Sequence, residues 1–175
     1  SAASDVYKRQ AETKGVSELE VIYDEFLKNG GTNLVYACFT PYDNHKLDFV
    51  ERAYSLKSSV AGGSDGGAHC GLICDASMPT TNLSHWARDR EAGKKIPIEL
   101  IVRKQTKDTA ETYGLFDRGE IKTGMLADLN IIDFENLNVT HPKMVYDLPM
   151  GGRRLIQNSF GCLLYTSDAA DETER

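Results

Sequence analysis

The apolar residues of the chain fall into alternating helix-like and strand-like patterns. In the first helix, Ser17 is placed to act as N-cap, and Glu20 completes a capping box. Apolar residues then recur on one face, namely Leu19, Ile22, Tyr23, Phe26 and Leu27. The pattern predicts a packing helix that ends at Asn29-Gly30-Gly31.

A βαβ unit is predicted next. Residues 34–39 form a short continuous apolar run, typical of a strand buried on both sides. Helical spacing returns over 47–56, and a second strand-like run, 59–61, stops at paired glycines just before Asp65. The order strand, helix, strand indicates parallel strands joined by a crossover helix.

Two further helices are predicted downstream, the first over 81–90 and the second opening at Pro97 and stopping at Tyr113-Gly114. Trp86 and Tyr113 are expected in the core. The inward stripe of the second helix is Ile98, Ile101, Val102, Thr109 and Ala110. The basic residues Arg103, Lys104 and Lys107 are expected at the surface.

From Leu115 onward, turn signals separate short apolar pieces. Residues 127–134 alternate partly with period two, and 145–158 predict a turn followed by a strand. We interpret 115–161 as strands of a small β layer, in which Asp117, Arg118 and Asp128 have structural roles. The fold class is therefore α/β.

Composition narrows the class of protein. The chain has 175 residues, 41% hydrophobic and 26% charged, as expected for a folded domain. Its net charge of −6, without long runs of one sign, excludes nucleic acid and anionic membranes as expected partners. No apolar stretch approaches the roughly 20 residues of a membrane span, and the N-terminus lacks a signal-peptide pattern, which predicts a cytoplasmic location. Four cysteines are too few for a disulfide scaffold.

The two termini are related at the level of codons. One legitimate codon set for residues 1–10, reverse-complemented and read one base in, encodes Cys162 onward to Asp171. The pair resembles a sequencing-library adapter translated from opposite strands. We therefore expect 1–10 and 162–175 to be adapter artefacts, and the segment between them to be part of a longer enzyme.

The candidate chemistry centres on Asp65. Glycines at 62, 63, 66 and 67 permit positive φ and leave no side-chain bulk beside the carboxylate. At the carboxyl end of a parallel strand, such a residue faces the ligand crevice. Taken alone, Ser64-Asp65-Gly66-Gly67 is also ordinary turn chemistry.

Four segments carry a family resemblance: 63–69, 97–106, 113–119 and 121–129. With them, residues 17–161 resemble the C-terminal third of amidohydrolase-superfamily enzymes, and most of all the N-acyl-D-amino-acid deacylases, or D-aminoacylases. The narrower likeness rests on Ser64-Asp65-Gly66-Gly67 and Arg103-Lys104-Gln105-Thr106. The resemblance implies a metal-dependent (β/α)8 TIM barrel, its last βα units in 11–114, followed by part of a β-sandwich in 115–161.

The resemblance also implies a role for Asp65. In such enzymes the aspartate after the last barrel strand contacts zinc, takes the proton from the attacking water and passes it to the departing amine. Zn²⁺ lowers the pKa of bound water to about 7, so a carboxylate can serve as base at neutral pH. Asp65 is thus the expected metal ligand and general base in the hydrolysis of small N-acyl-D-amino acids. The family's other ligands, including a His-x-His pair, are absent, so we expect this chain to assemble no metal site and to be inactive alone.

Three further residues are candidates for substrate binding. His69 is close enough to Asp65 in sequence to reach the mouth of the same active site. Arg88 or Arg90 would hold a substrate carboxylate by a bidentate pair. The alternatives are a structural, hydrogen-bonding histidine and a solvated helix face.

Two other functions fit the sequence. One is a cyclic-amide hydrolase similar to hydantoinases and dihydroorotases, in which the aspartate has the same role. The other is a non-catalytic binding module. A comparison of linear and cyclic amide substrates distinguishes the cyclic-amide hydrolase from the deacylase. A native start codon near Ala11 would favour the binding module.

Overall fold

The computed structural model of the chain describes residues 2–35, 46–64, 66–67 and 69–166. The chain divides into two compact units, Ser1–Ala53 and Tyr54–Arg175. The first unit contains α1 (Ala2–Lys14), α2 (Glu18–Gly31) and most of α3 (Asp48–Ser55). The second contains a group of short helices and then a β-ribbon.

The N-terminus of α2 forms as predicted. Ser17 Oγ accepts a hydrogen bond from the Glu20 amide at 3.2 Å, which satisfies one of the free N–H groups of the first turn. Helical geometry is lost at Lys28 and Asn29, where φ of Asn29 is 52°, so the predicted stop is confirmed.

The predicted packing face of α2 is wrong. Leu19 and Tyr23 are 79% and 63% exposed, whereas Val21, outside the predicted stripe, is fully buried. Helix α1 packs along α2, and Ala11 of α1 is also buried. Periodicity identifies residues that share a face, but the position of the neighbouring element decides which face is covered.

The predicted βαβ unit is not formed in the described residues. Of the apolar run 34–39, only Leu34 and Val35 are described, and neither is in a strand. The helix after it is confirmed as α3, but residues 59–61 form no strand, and the chain from 56 to 64 has no regular structure. All strand pairs within the described part of the chain are antiparallel.

In the described residues of the second unit, the helical part contains four elements. Helix α4 (Met78–Thr81) continues into a π-helix (Asn82–Asp89), followed by α5 (Ile98–Gln105) and α6 (Lys107–Thr112). The single helix predicted from Pro97 is therefore broken, at Thr106. Trp86 is buried as predicted, whereas Tyr113 is 72% exposed, so its predicted core position is wrong. The buried apolar residues of this unit are Trp86, Ile96, Ile101, Ala110 and Leu137. Over the described ranges, no helix is both long and apolar enough to cross a membrane.

The second unit ends in an interrupted two-stranded ribbon. Its strands pair as nested rungs: β1 with β6, β2 with β5, and β3 with β4. Leu129 pairs with Thr166 at the open end and Leu148 with Gly152 beside the turn Pro149–Gly151. The strands are β1 (Leu129–Ile132), β2 (Asn138–Val139), β3 (Lys143–Leu148), β4 (Gly152–Ile156), β5 (Ser159–Phe160) and β6 (Cys162–Thr166). The predicted strands at 127–134 and 145–158 are confirmed in β1, β3 and β4.

Candidate active site

Asp65, the predicted catalytic residue, lies outside the described residues, but the chain on both sides of it is described. Gly66 and Gly67, which follow it directly, line a groove of about 600 Å³. This volume is within the range of small-molecule sites, about 300–1,000 Å³. The strand predicted directly before Asp65 is replaced by an irregular segment. Contacts other than a β-ladder must therefore hold the chain that leads to this residue.

The groove runs between the loop 66–76 and strand β4 with its flanks. The amide of Leu155 donates to the Cys70 carbonyl at 2.6 Å, and the Ser77 hydroxyl bonds the Gln157 side chain. The two walls are therefore held together by direct hydrogen bonds. The lining includes apolar Ile73 and Leu155 as well as polar Gln157.

The one basic residue among the described lining residues, Arg154, is paired with Asp147, which is not part of the lining. Arg154 Nε and Nη2 donate to the two carboxylate oxygens of Asp147 at 2.8 and 2.7 Å, and this pairing lowers the pKa of Asp147. Burial, with a contribution from the charge of Asp75, raises the pKa of the Cys74 thiol. Cys74 therefore stays protonated at neutral pH and is a poor nucleophile.

His69 is exposed and has φ of 45°, in the left-handed region. Its carbonyl accepts from the amides of Leu72 at 2.7 Å and Ile73 at 2.9 Å. The contacts of His69 are thus main-chain contacts that begin a turn of the loop. A substrate contact through its ring stays a prediction.

Arg88 joins the π-helix to the chain between β1 and β2. Its Nε and Nη2 donate to Asp89 at 2.6 and 2.8 Å, Nη2 also donates to the Leu137 carbonyl at 2.8 Å, and Nη1 donates to the carbonyls of Phe134 and Glu135. A guanidinium has five N–H donors, so all of them have partners. The expected bidentate grip on a substrate would require these bonds to be exchanged.

Arg90 is 3% exposed and lies over the Trp86 ring, 4.4 Å from its centroid. Its Nε donates to the Ala92 carbonyl at 2.9 Å. Gly93 permits this placement, because a Cβ there would lie 2.8 Å from Arg90 Nε. Arg90 therefore lies in the core beside Trp86 and not on a solvated helix face, and its contact with a substrate carboxylate stays a prediction.

Two ring neighbours complete the cluster around Trp86. Tyr54 lies 6.3 Å and His85 5.2 Å from it, measured between ring centroids. Burial raises the pKa of Tyr54 to about 12. Burial, and then the nearby charge of Arg90, lower the pKa of His85, with Asp89 opposing.

Sequence reasoning missed Lys104. It was expected at the surface with Arg103 and Lys107, but its side chain is only 3% exposed, against 63% for Arg103. Lys104 Nζ donates to the main-chain carbonyls of Leu56, at 2.7 Å, and Ser59. The available signal was its spacing from Ile101, since residues three apart share a helix face.

The described residues do not by themselves fit a metal ion. Among them, no group of three or more His, Cys, Asp or Glu side chains could hold one. A catalytic zinc takes three protein ligands, so any site that includes Asp65 needs further ligands from elsewhere.

A comparison with models of protein families identifies a match. A family model with the description "Amidohydrolase family" matches residues 39–164, which include the Asp65 loop, the helices that follow and almost the whole ribbon. No curated protein matches the chain, and no solved structure does.

Proposed function

Because the chain belongs to the amidohydrolase family, we propose that it is the C-terminal part of a metal-dependent hydrolase that cleaves N-acyl-D-amino acids into a carboxylate and a D-amino acid. Amidohydrolases are generally metal-dependent. The substrate class rests on the motifs Ser64-Asp65-Gly66-Gly67 and Arg103-Lys104-Gln105-Thr106. The observation that carries the proposal is that Gly66 and Gly67, which follow Asp65 directly, line a ligand-sized groove.

In this proposal Asp65 is the general base. Its carboxylate takes a proton from the water that attacks the amide carbonyl and returns the proton to the departing nitrogen. Glycines on both sides leave room for the substrate to approach it. Zinc is the proposed metal of the intact enzyme, with its ligands other than Asp65 supplied by sequence outside this chain.

Substitution of Asp65 in the complete reading frame tests the proposal. We expect Asp65→Asn to reduce hydrolysis of N-acetyl-D-amino acids by a factor of about 10³ or more, because the base is lost while the side-chain volume is kept. Asp24→Asn, at an exposed carboxylate of α2, is the matched control. Activity of Asp65→Asn within about tenfold of the parent would contradict the assignment. Preference for hydantoin or dihydroorotate rings would instead identify a cyclic-amide hydrolase.

We also propose that 1–10 and 162–175 are adapter-encoded. The support is that one legitimate codon set for residues 1–10, reverse-complemented and read one base in, encodes Cys162 to Asp171. Both segments include regular structure, in α1 and β6, and the family match extends to residue 164. Sequencing the source DNA without adapter ligation tests this origin, and a gene that encodes both ends continuously would contradict it.

A further inference from the structure

Lys104 has an unusual environment for a lysine. Its side chain is 3% exposed, and the ammonium contacts the carbonyls of Leu56 and Ser59 and, at 3.6 Å, Asp108 Oδ2. An ammonium has three N–H donors, so each partner can take one. A buried charge is costly unless it is paired and hydrogen-bonded, so this arrangement is strongly constrained.

The same stretch of main chain is held a second time, at Ala61. The Thr109 hydroxyl lies 3.0 Å from the Ala61 carbonyl and 2.7 Å from the Lys104 carbonyl, and its single O–H is shared between these two acceptors. The Ala61 amide in turn donates to the Lys104 carbonyl at 3.4 Å. The junction of α5 and α6 therefore binds the main chain at Leu56, Ser59 and Ala61.

These contacts take the place of the β-ladder that a strand at residues 59–61 would have formed. Within the described part of the chain the segment 56–61 belongs to no strand, and its carbonyls at Leu56, Ser59 and Ala61 accept from the side chains of Lys104 and Thr109. Beyond Ala61 come Gly62 and Gly63, where an added Cβ would meet nothing within 4 Å, and then Ser64 and Asp65. The contacts from Lys104 and Thr109 therefore hold the main chain as far as Ala61, directly before the glycine-rich loop.

We propose that Lys104 is a positioning residue for Asp65, with Thr109 as its partner. The inference rests on the proposed function, since it assigns Lys104 a role in the reaction that Asp65 carries out. Lys104 fixes where the loop begins and so limits the positions that the carboxylate can reach. Displacement of a catalytic group by about 1 Å can cost about 10²-fold in rate.

The test compares Lys104→Met, Thr109→Val and Lys107→Met in the complete enzyme. Lys107→Met is the matched control, since the Lys107 ammonium pairs with Glu120 and Glu111 and not with the main chain of 56–61. We expect Lys104→Met to lower kcat by about 10- to 100-fold with KM nearly unchanged, and near-isosteric Thr109→Val to lower it by about 3- to 10-fold. Hydrogen exchange at the amides of 59–64 should accelerate in both variants and not in the control.

The outcomes separate this inference from the proposed function. If Asp65→Asn retains activity, the proposed function fails. If Asp65→Asn is inactive while Lys104→Met and Thr109→Val fold and keep kcat within twofold of the parent, the positioning role is overturned. If Lys104→Met does not fold, kcat and hydrogen exchange of Thr109→Val decide.

Discussion

Arg88 donates a 2.8 Å hydrogen bond from Nη2 to the main-chain carbonyl of Leu137, a residue that is 3% exposed. The bond connects the end of the π-helix to the chain that leads into β2. Together with the bonds to Phe134 and Glu135, it satisfies carbonyls outside any β-ladder. Arg88 therefore connects the helical part of the second unit to the ribbon.

We expect Arg88→Lys to destabilise the full-length protein by about 1–3 kcal/mol, because an ammonium cannot reproduce the planar set of donors. The unfolding temperature should fall, while KM for an N-acyl-D-amino acid stays within about twofold of the parent. Thermal unfolding and steady-state kinetics provide the measurements. A large rise in KM without loss of stability would instead support Arg88 as the anchor of the substrate carboxylate.

Gly119 and Gly124 offer a matched pair of substitutions. Their φ values are 91° and 90°, but a Cβ at Gly119 would lie 2.8 Å from Lys107 Cα, whereas one at Gly124 would meet nothing within 4 Å. Gly124→Ala should cost about 1–2 kcal/mol, from left-handed strain alone. Gly119→Ala should cost about 3 kcal/mol or more, because main chain must also move. Denaturant unfolding of the full-length variants measures both, and equal costs would show that the close approach to α6 is unimportant.

His85 should make stability depend on pH. Burial and Arg90 lower its pKa in the folded state, so the unfolded chain binds more protons around pH 6.5, the ordinary histidine value. This contribution is fully present above that pH and is lost as the pH falls through the folded-state pKa. In His85→Gln the loss of stability below about pH 6.5 should therefore be smaller than in the parent. Unfolding free energies from pH 8 to pH 5 test this, and parallel curves would contradict it.

The isolated chain should associate through its exposed apolar side chains. Ile121 is 91% exposed, and Leu163 and Tyr165 of β6 are 68% and 67% exposed. The β1–β6 pair also has no third strand on either edge among the described residues. Such surfaces and edges favour aggregation. Light scattering after size exclusion should show oligomers, and a monodisperse monomer with a sharp, reversible thermal transition would contradict this.

Elements with local signals could be predicted from the sequence. The cap at Ser17, the end of α2 at Asn29 and the turn at Pro149–Gly151 each depend on residues close together in the chain. Their hydrogen bonds or backbone angles are set by a few neighbours, so the residue types were sufficient.

The remaining features depend on long-range partners, which the pattern does not contain. Residues 59–61 have strand-like composition, but the carbonyls of Ser59 and Ala61 accept from the side chains of Lys104 and Thr109 and not from a neighbouring strand. The exposure of Tyr113 and the burial of Lys104 likewise depend on which surfaces other elements cover. The family motif at 103–106 marked the position of Lys104, but not that its charge points inward. The placement of Asp65 in the groove stays a prediction.

The nesting of the ribbon also determines how it can assemble. Each strand pair lies outside the previous one around the turn Pro149–Gly151. Once β3 and β4 have paired, the loop that β2 and β5 must close is shorter. The pairing of β2 with β5 then shortens the loop for β1 and β6 in the same way. Loop-closure entropy therefore favours a zipper that starts at the turn and reaches Leu129 and Thr166 last. A force that separates these two residues would open the same rungs in reverse, one at a time.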